Sequence, residues 1–263
     1  MVWLLLVVAL LLGVPAAAWF GQDRLIFFPQ PLVATARLPP EAKPLEIVAT
    51  DGTRLRGWIR AASVVPAPAV LYFGGNAEEV SGTLADPRWP RDWAVAAINY
   101  RGYGASEGAP GETALVVDAQ TIYDTIAALP EVDARRIVAL GRSLGTGVAV
   151  KLGAARPLAG EILVSPFDSL VEVGRTHYPW LPVSWLLRHR FDSRADAQRI
   201  QVPLLAIVAD HDSIIPRGRS QALYDAWAGS KLWLVIPGTD HNTLSVPDAF
   251  WDGVAGFLAA RGR

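Results

Sequence analysis

The chain has 263 residues, of which 51% are hydrophobic, and it carries 24 Lys and Arg residues against 25 Asp and Glu residues. This length suits one large domain with a sizeable core. The near-neutral charge, without a basic stripe, argues against a nucleic-acid partner. The sequence contains no cysteine, which excludes disulfides, a cysteine nucleophile and thiolate metal sites.

The N-terminal stretch, residues 1–21, is apolar. Residues 2–20 carry no charged side chain, and a run of this length can just cross the hydrocarbon core of a membrane as a helix. A transmembrane anchor is favoured by Trp19 and Phe20, which suit the membrane interface, and by the lack of Lys or Arg ahead of the run. The small residues 16–18 favour a cleaved signal peptide instead, and a buried helix is a third interpretation.

The signal-like start leads us to expect a membrane-anchored protein whose main domain lies on the extracytoplasmic side. If the segment is cleaved, the alternative is a secreted or periplasmic protein. Residues 22–44 include the proline-rich stretch 30–44, which predicts an extended connector. One domain is then expected over residues 45–263, and its oligomeric state is left open.

Short apolar runs predict the strands of this domain. Residues 46–50 and 54–60 flank an Asp-Gly turn and predict a hairpin. The later runs have no polar face, which is typical of a parallel sheet covered by helices on both sides. These runs are residues 69–73, 93–98, 136–140, 161–164, 203–208 and 232–236.

The segments between these runs predict helices at residues 112–129, 144–155, 220–228 and 247–260. Alternating strands and helices indicate a mostly parallel, doubly wound α/β sheet with right-handed crossovers. Ligands of such sheets bind beyond the carboxyl ends of the strands. Near residues 168–192, Trp180 and Trp185 predict a short insertion able to wall a pocket, although ordinary core helices fit equally well.

The candidate nucleophile is Ser143, in the sequence Gly-Arg-Ser-Leu-Gly between a predicted strand and a predicted helix. In this context G-x-S-x-G indicates a sharp turn that lifts the serine Oγ above the sheet. Gly141 and Gly145 are needed because their neighbours crowd such a turn. The N–H of Leu144, at the helix N-terminus, is then free to bind an oxyanion.

A serine nucleophile needs a base that is oriented by an acid, and on such a turn the chain order is Ser, acid, His. His241 follows the last predicted strand and is the candidate base. The preceding loop offers two acids, Asp210 and Asp212, and the residues alone leave both open. His177, His189 and His211 are expected to have other roles.

The second oxyanion donor is expected in the loop after residues 69–73, where Gly74 and Gly75 allow the backbone to approach a ligand closely. Either the N–H of Asn76 or the N–H of Ala77 can fill this role. No metal-ligand cluster, P-loop or dinucleotide-binding motif is present in the sequence, so we expect neither a metal nor a cofactor.

These motifs resemble those of the membrane-tethered α/β-hydrolases related to acylglycerol lipases and protein-depalmitoylating thioesterases. The loop 73–77 is similar to the family's F-H-G-N-A, with Gly74 in place of the histidine, and residues 99–108 match N-Y-R-G-Y-G-x-S-x-G. Residues 212–216 match D-x-[VI]-[VI]-P, whose aspartate is the triad acid. The resemblance therefore implies an α/β-hydrolase fold, with Asp212 as the acid.

The predicted function is that of a serine hydrolase that cleaves ester or thioester bonds, with an acyl ester or lipid as the small-molecule substrate and the membrane as a partner of the N-terminal helix. An alternative within the enzymes is a serine peptidase similar to prolyl oligopeptidase, although the chain has no room for a propeller domain. A non-catalytic binding protein on the same fold is an alternative of another class, as is a purely structural membrane anchor.

Overall fold

The computed structural model describes residues 3, 13, 16–17, 19–32 and 38–262. The strands are β1 (Ala42–Val48), β2 (Arg54–Arg60), β3 (Ala67–Phe73), β4 (Ala94–Ile98), β5 (Val132–Arg142), β6 (Gly160–Val164), β7 (Leu204–Ala209) and β8 (Lys231–Ile236). The helices are α1 (Ser81–Leu84), α2 (Glu112–Ala127), α3 (Leu144–Gly153), α4 (Leu170–His177), α5 (Val183–Leu186), α6 (Ser193–Ala197), α7 (Arg217–Ala226) and α8 (Asp248–Ala259). Residues 19–26 are also helical.

These strands form one sheet in the order β1-β2-β4-β3-β5-β6-β7-β8. The pairs β1–β2 and β2–β4 are antiparallel, and the other neighbouring pairs are parallel. The β1–β2 hairpin turns at Gly52, whose φ of 86° suits a residue without a Cβ, and the Asp51 carboxylate accepts the N–H of Thr53. The prediction of a mostly parallel, doubly wound α/β sheet is confirmed.

The centre of the sheet is buried on both faces. Every residue of β3, β4, β6 and β7 is buried. Successive residues point to opposite faces, so Leu71 packs into one core cluster with Ile126 of α2, while Val70 packs into the other with Val254 of α8. Each such side chain contributes about 1.5–3 kcal/mol by leaving water. The carboxyl ends of these strands are therefore fixed by a core that is packed on both faces of the sheet.

The N-terminal region differs from the extended connector predicted over residues 22–44. Residues 19–26 are helical, and Phe27 has only 2% of its surface exposed, in the same core cluster as Leu71. β1 already begins at Ala42. Burial of Phe27 removes apolar surface from water, a gain that an extended solvated segment would lack. Much of the predicted connector is therefore part of the domain.

The predicted membrane anchor or signal peptide falls on residues 1–21. Most of these lie outside the described residues, which include only 3, 13, 16–17 and 19–21 of that segment. Within the described part of the chain, no helix has both the length and the apolar character that a membrane crossing requires.

The insertion near residues 168–192 consists of short helices above the carboxyl end of the sheet. α4 is capped by Ser169, whose hydroxyl accepts the N–H of Glu172 at 3.1 Å. Trp180 and Trp185 are 69% and 84% exposed. Core helices would bury these two tryptophans, so the interpretation of the segment as ordinary core helices is wrong.

Candidate active site

Ser143 occupies a strained turn between β5 and α3, with φ of 50° and ψ of −117°. The two flanking glycines make this turn possible. A Cβ on Gly141 would lie 2.4 Å from the carbonyl oxygen of Gly145, and a Cβ on Gly145 would lie 2.1 Å from that of Phe73. A strained serine backbone persists only where the surrounding structure enforces it, which is typical of functional sites.

The turn leaves a backbone donor beside the serine. Leu144 is the first residue of α3, and no acceptor among the described residues takes its N–H. The N-terminal N–H groups of a helix lack partners within the helix, and the helix dipole favours negative charge at this end. The Leu144 N–H is therefore available to a developing anion next to Ser143.

His241 reaches the serine from the loop after β8. Its Nε2 lies 2.9 Å from Oγ of Ser143, and its Nδ1 lies 2.8 Å from Oδ2 of Asp212. The imidazole has little solvent contact, since only 7% of the residue is exposed. With Nδ1–H donating to the carboxylate, Nε2 is the acceptor that faces the serine hydroxyl.

Asp212 is held in place by several donors. Its Oδ1 accepts the N–H groups of Ile214 and Ile215 at 3.0 and 2.8 Å, and its Oδ2 also accepts the hydroxyl of Ser165 at 2.8 Å. Burial raises the pKa of the carboxyl, but the hydrogen bonds from His241 and Ile215 outweigh burial, so the pKa lies below its usual value. Asp212 is therefore an ionised, fixed partner for the imidazole.

Asp210, the competing acid, does not contact His241. Its carboxylate accepts the N–H groups of Gly238 and Thr239 at 3.0 and 3.2 Å and contacts Nδ1 of His211 at 2.7 Å. These bonds join the loop after β7 to the loop after β8. Of the two candidates, Asp212 contacts the imidazole, whereas Asp210 stabilises the turn at Gly238 and Thr239.

The loop after β3 distinguishes the two candidate oxyanion donors. The N–H of Ala77 donates to Oδ1 of Asn76 at 3.0 Å, whereas no acceptor among the described residues takes the N–H of Asn76. Asn76 also lines the same cavity as Ser143 and Leu144. The geometry therefore favours the Asn76 N–H over the Ala77 N–H.

A partly buried ion pair between Glu78 and Arg142 supports this loop, and the sequence analysis did not identify it. Oε2 of Glu78 accepts from Arg142 at 3.0 Å and from the N–H of Gly75 at 2.7 Å, and Oε1 accepts the hydroxyl of Tyr72 at 2.6 Å. Arg142 also donates to the carbonyl oxygen of His241 at 3.3 Å. The pair thus connects the oxyanion loop, the serine turn and the histidine loop.

The other histidines have structural contacts. Nε2 of His177 lies 2.9 Å from the carbonyl oxygen of Ile214, and His211 is paired with Asp210. Nδ1 of His189 accepts the N–H of Glu112, so its Nε2 carries the proton that it shares with Asp23. None of the three contacts Ser143.

An apolar cavity of about 710 Å³ opens beside Ser143. Besides Asn76, Ser143 and Leu144, its wall comes from three segments: residues 22–28, residues 167–187 in and next to the insertion, and residues 214–215 after Asp212. Aliphatic and aromatic side chains dominate this wall, and none of the described residues that line it carries a carboxylate. The cavity can therefore take a hydrocarbon chain next to the serine.

Two further contributors to the site were not predicted. Ser165, with φ of 49°, donates to Asp212, and residues 22–28 line the cavity. Neither Ser165 nor residues 22–28 belong to a motif that indicates hydrogen bonding to the acid or lining of a cavity. Among the described residues, no group of three or more His, Asp or Glu side chains is placed to hold a metal ion. The expectation of no cofactor stays a prediction.

A serine raised on a strand-to-helix turn above a mostly parallel sheet defines the class of α/β-hydrolases. A family model described as serine aminopeptidase, S33, matches residues 75–191. The protein Rv2307c of Mycobacterium tuberculosis is 37% identical over 253 residues, which cover 94% of this chain and 90% of that protein. The chain belongs to the α/β-hydrolase family.

Two other similar proteins carry functional names. The lysophosphatidylserine lipase ABHD12 of Danio rerio is 31% identical over 186 residues, which cover 62% of this chain but only 48% of that lipase. The solved structure of the Pyrococcus furiosus esterase Pf2001 matches with a TM-score of 0.69 and 20% identity, over 90% of this chain and 100% of that one. The second likeness shows the fold alone.

Proposed function

We propose that the chain is a serine hydrolase that cleaves carboxylic ester or thioester bonds of acyl lipids or acylated molecules. The observation that carries the proposal is the hydrogen-bonded series Asp212, His241 and Ser143 at the wall of an apolar cavity. The serine supplies a nucleophile, the imidazole a base and the carboxylate the group that orients it.

The reaction proceeds by acyl transfer in two steps. His241 takes the hydroxyl proton of Ser143 as Oγ attacks the acyl carbonyl carbon, and Asp212 stabilises the imidazolium that forms. The imidazolium then gives this proton to the leaving alcohol or thiol as the bond to it breaks, which leaves an acyl-serine. In the second step His241 takes a proton from water, the resulting hydroxide attacks the ester, and the proton returns to Ser143 as the acid leaves.

The tetrahedral oxyanion of each step is stabilised by two backbone donors, the N–H groups of Leu144 and Asn76. Both residues line the cavity beside Ser143, and neither N–H has an acceptor among the described residues. Removal of one such donor typically costs about 2.7–4 kcal/mol in the transition state. Ala77, whose N–H is already bonded to Asn76, is the weaker candidate.

The cavity supports an acyl chain as the recognised part of the substrate. Its wall is largely hydrocarbon, and a similar protein is named a lysophosphatidylserine lipase. An apolar chain that enters such a cavity gains about 0.8 kcal/mol for each CH₂ group removed from water. We extend the proposal to the acylated lipids or acylated molecules of a membrane, because the sequence of residues 2–20 is apolar and uncharged.

On this proposal residues 1–21 hold the catalytic domain at a membrane, on its extracytoplasmic side. Protease treatment of intact cells and of cells with permeabilised membranes tests this placement. Digestion of the domain in intact cells is the expected result, whereas protection until the membrane is broken contradicts it.

A peptidase is the second candidate, because the family model that matches residues 75–191 is described as a serine aminopeptidase. An aminopeptidase must bind the α-ammonium group of its substrate, and a carboxylate is the usual partner for that charge. The described residues that line the cavity offer none. The chemistry of the cavity therefore favours an uncharged acyl group.

The test compares p-nitrophenyl esters of increasing chain length with aminoacyl p-nitroanilides, with the full chain in detergent. We expect ester cleavage that Ser143→Ala abolishes and that Ser230→Ala, which removes an exposed hydroxyl outside the cavity, leaves unchanged. Faster cleavage of the anilides would favour the peptidase. Failure to cleave either substrate class would favour a non-catalytic binding protein.

A further inference from the structure

We propose that the side chain of Asn76 is a positioning group that ties the oxyanion loop to the N-terminal segment, defined as residues 22–31. The inference rests on the proposed function, in which the Asn76 N–H binds the oxyanion. It assigns to the N-terminal segment a part in the chemistry, beyond its contribution to the cavity wall.

The bonds of the Asn76 amide carry this inference. Its Nδ2 donates to the carbonyl oxygen of Ile26 at 2.5 Å, and its Oδ1 accepts the N–H of Phe28 at 3.0 Å. The same Oδ1 accepts the hydroxyl of Tyr103 at 2.8 Å. One side chain of the oxyanion loop is therefore bonded to two backbone groups of the N-terminal segment.

Tyr103 also bonds to both Asn76 and the N-terminal segment. The residue is fully buried, its hydroxyl also accepts the N–H of Phe28 at 3.1 Å, and burial raises the pKa of its phenol to about 12. The next residue, Gly104, donates its N–H to the carbonyl oxygen of Gln30 at 2.7 Å. The neutral phenol thus fixes both Asn76 and the N-terminal segment at one point.

The other end of the N-terminal segment is fixed to the insertion. Gln22, only 4% exposed, donates to the carbonyl oxygen of Leu186 at 3.1 Å and accepts the N–H of Arg188 at 2.7 Å. Asp23 contacts Arg188 and His189 at 2.8 and 2.7 Å. The N-terminal segment is therefore bonded at one end to the insertion and at the other end to the oxyanion loop.

The oxyanion loop needs such support because its backbone is strained. Ala77 has φ of 56°, which is unfavourable for a residue with a Cβ. Glu78 holds the loop from the side of Arg142, and Asn76 holds it from the side of the N-terminal segment. Without the second support the Asn76 N–H can turn away from the oxyanion, and a donor of this kind acts only when it is preorganised.

The direct test is Asn76→Ala in the full chain, because this substitution keeps the backbone N–H and removes its tether. We expect kcat for an ester to fall roughly 10- to 100-fold, approaching the loss of a whole oxyanion donor, while KM changes less than about threefold. The affinity for a trifluoromethyl ketone, which forms a tetrahedral adduct with the serine, should fall by the same factor as kcat/KM.

Tyr103→Phe provides a milder variant, and Tyr123→Phe is its matched control. The hydroxyl of Tyr123 donates to the carbonyl oxygen of Pro157 at 2.8 Å and belongs to α2, outside the site. We expect Tyr103→Phe to lower kcat roughly 3- to 10-fold and the control to leave it unchanged. If Asn76→Ala fails to fold, Tyr103→Phe still decides the question.

Hydrogen exchange separates this inference from the proposed function, because it needs no substrate. Peptides that cover residues 24–30 and 73–78 should exchange faster in both Asn76→Ala and Tyr103→Phe than in the wild type. Unchanged exchange and an unchanged kcat overturn the positioning role. A rise in KM with kcat unchanged also overturns it, since the segment would then only shape the cavity. If the wild type cleaves no ester but the two variants still exchange faster than the wild type, only the proposed function is overturned.

Discussion

His241 and Ser143 are 98 positions apart in the chain, yet Nε2 of the imidazole lies 2.9 Å from Oγ of the serine. The sheet produces this approach, because β5 and β8 are parallel members of it and their carboxyl ends open at the same edge. Each loop then needs only a short turn to bring its side chain over that edge. The catalytic proposal depends on this distance.

The two aspartates of the loop after β7 are predicted to differ sharply. Asp212→Asn should lower kcat roughly 10⁴-fold, because the amide no longer holds the tautomer with Nε2 facing the serine. Asp210→Asn should lower kcat less than about tenfold, because it only weakens the turn to Gly238. Steady-state kinetics on one ester, with circular dichroism to verify folding, measures both. A larger loss for Asp210→Asn would move the acid to that position.

The cavity wall predicts the acyl-chain preference. Val173 lines the cavity on α4, and Val173→Phe should fill part of it. We expect kcat/KM to fall at least about tenfold for a dodecanoyl ester and to stay nearly unchanged for an acetyl ester. Val246→Phe, at a position 66% exposed, is the control. Equal losses for both esters would show that the chain does not enter this cavity.

Glu161 predicts an unusual dependence of stability on pH. It is fully buried on β6, neither carboxylate oxygen has a hydrogen-bond partner among the described residues, and burial raises the pKa of the carboxyl well above its usual value. The folded protein therefore keeps the proton at pH values where the unfolded chain has lost it. Below the ordinary carboxyl pKa, Glu161 is protonated in both the folded and the unfolded chain, so it does not make stability depend on pH.

Above the ordinary carboxyl pKa, the free energy of unfolding should therefore fall with pH, by up to about 1.4 kcal/mol per pH unit from this group, until the folded pKa is reached. Glu161→Gln should remove that slope. Urea unfolding at pH 5 and pH 8 of the variant and the wild type measures the difference. A wild type whose stability relative to the variant does not decline between these pH values would contradict the prediction.

Much of the fold could be predicted from local pattern. The run 54–60 coincides with β2, because alternation and the Asp-Gly turn are local signals. G-x-S-x-G located the serine turn because close backbone contacts at Gly141 and Gly145 exclude any Cβ. The order of elements predicted that His241 lies at the same edge of the sheet as Ser143, which is where the structure has both residues.

The remainder depends on contacts between distant residues. Asp210 and Asp212 lie in one loop, and without the family resemblance the residues left the choice between them open. The packing of that loop against Gly238 and Thr239 gives the two carboxylates different partners. The proline-rich composition of residues 30–44 predicted an extended connector. The residues just before that stretch instead pack on the domain, because Phe27 is buried and the N–H of Phe28 is bonded to Asn76. Composition carries no information about such long-range partners.

The most direct measurement is the mapping of a fluorophosphonate adduct by mass spectrometry on the full chain, because this reagent modifies a serine only where a base and an oxyanion hole activate it. We expect a single adduct on Ser143, lost in His241→Ala and retained in Ser230→Ala, which changes an exposed serine outside the site. Absence of an adduct on the folded wild-type protein, or an adduct on a different serine, would contradict the assignment of Ser143 as the nucleophile.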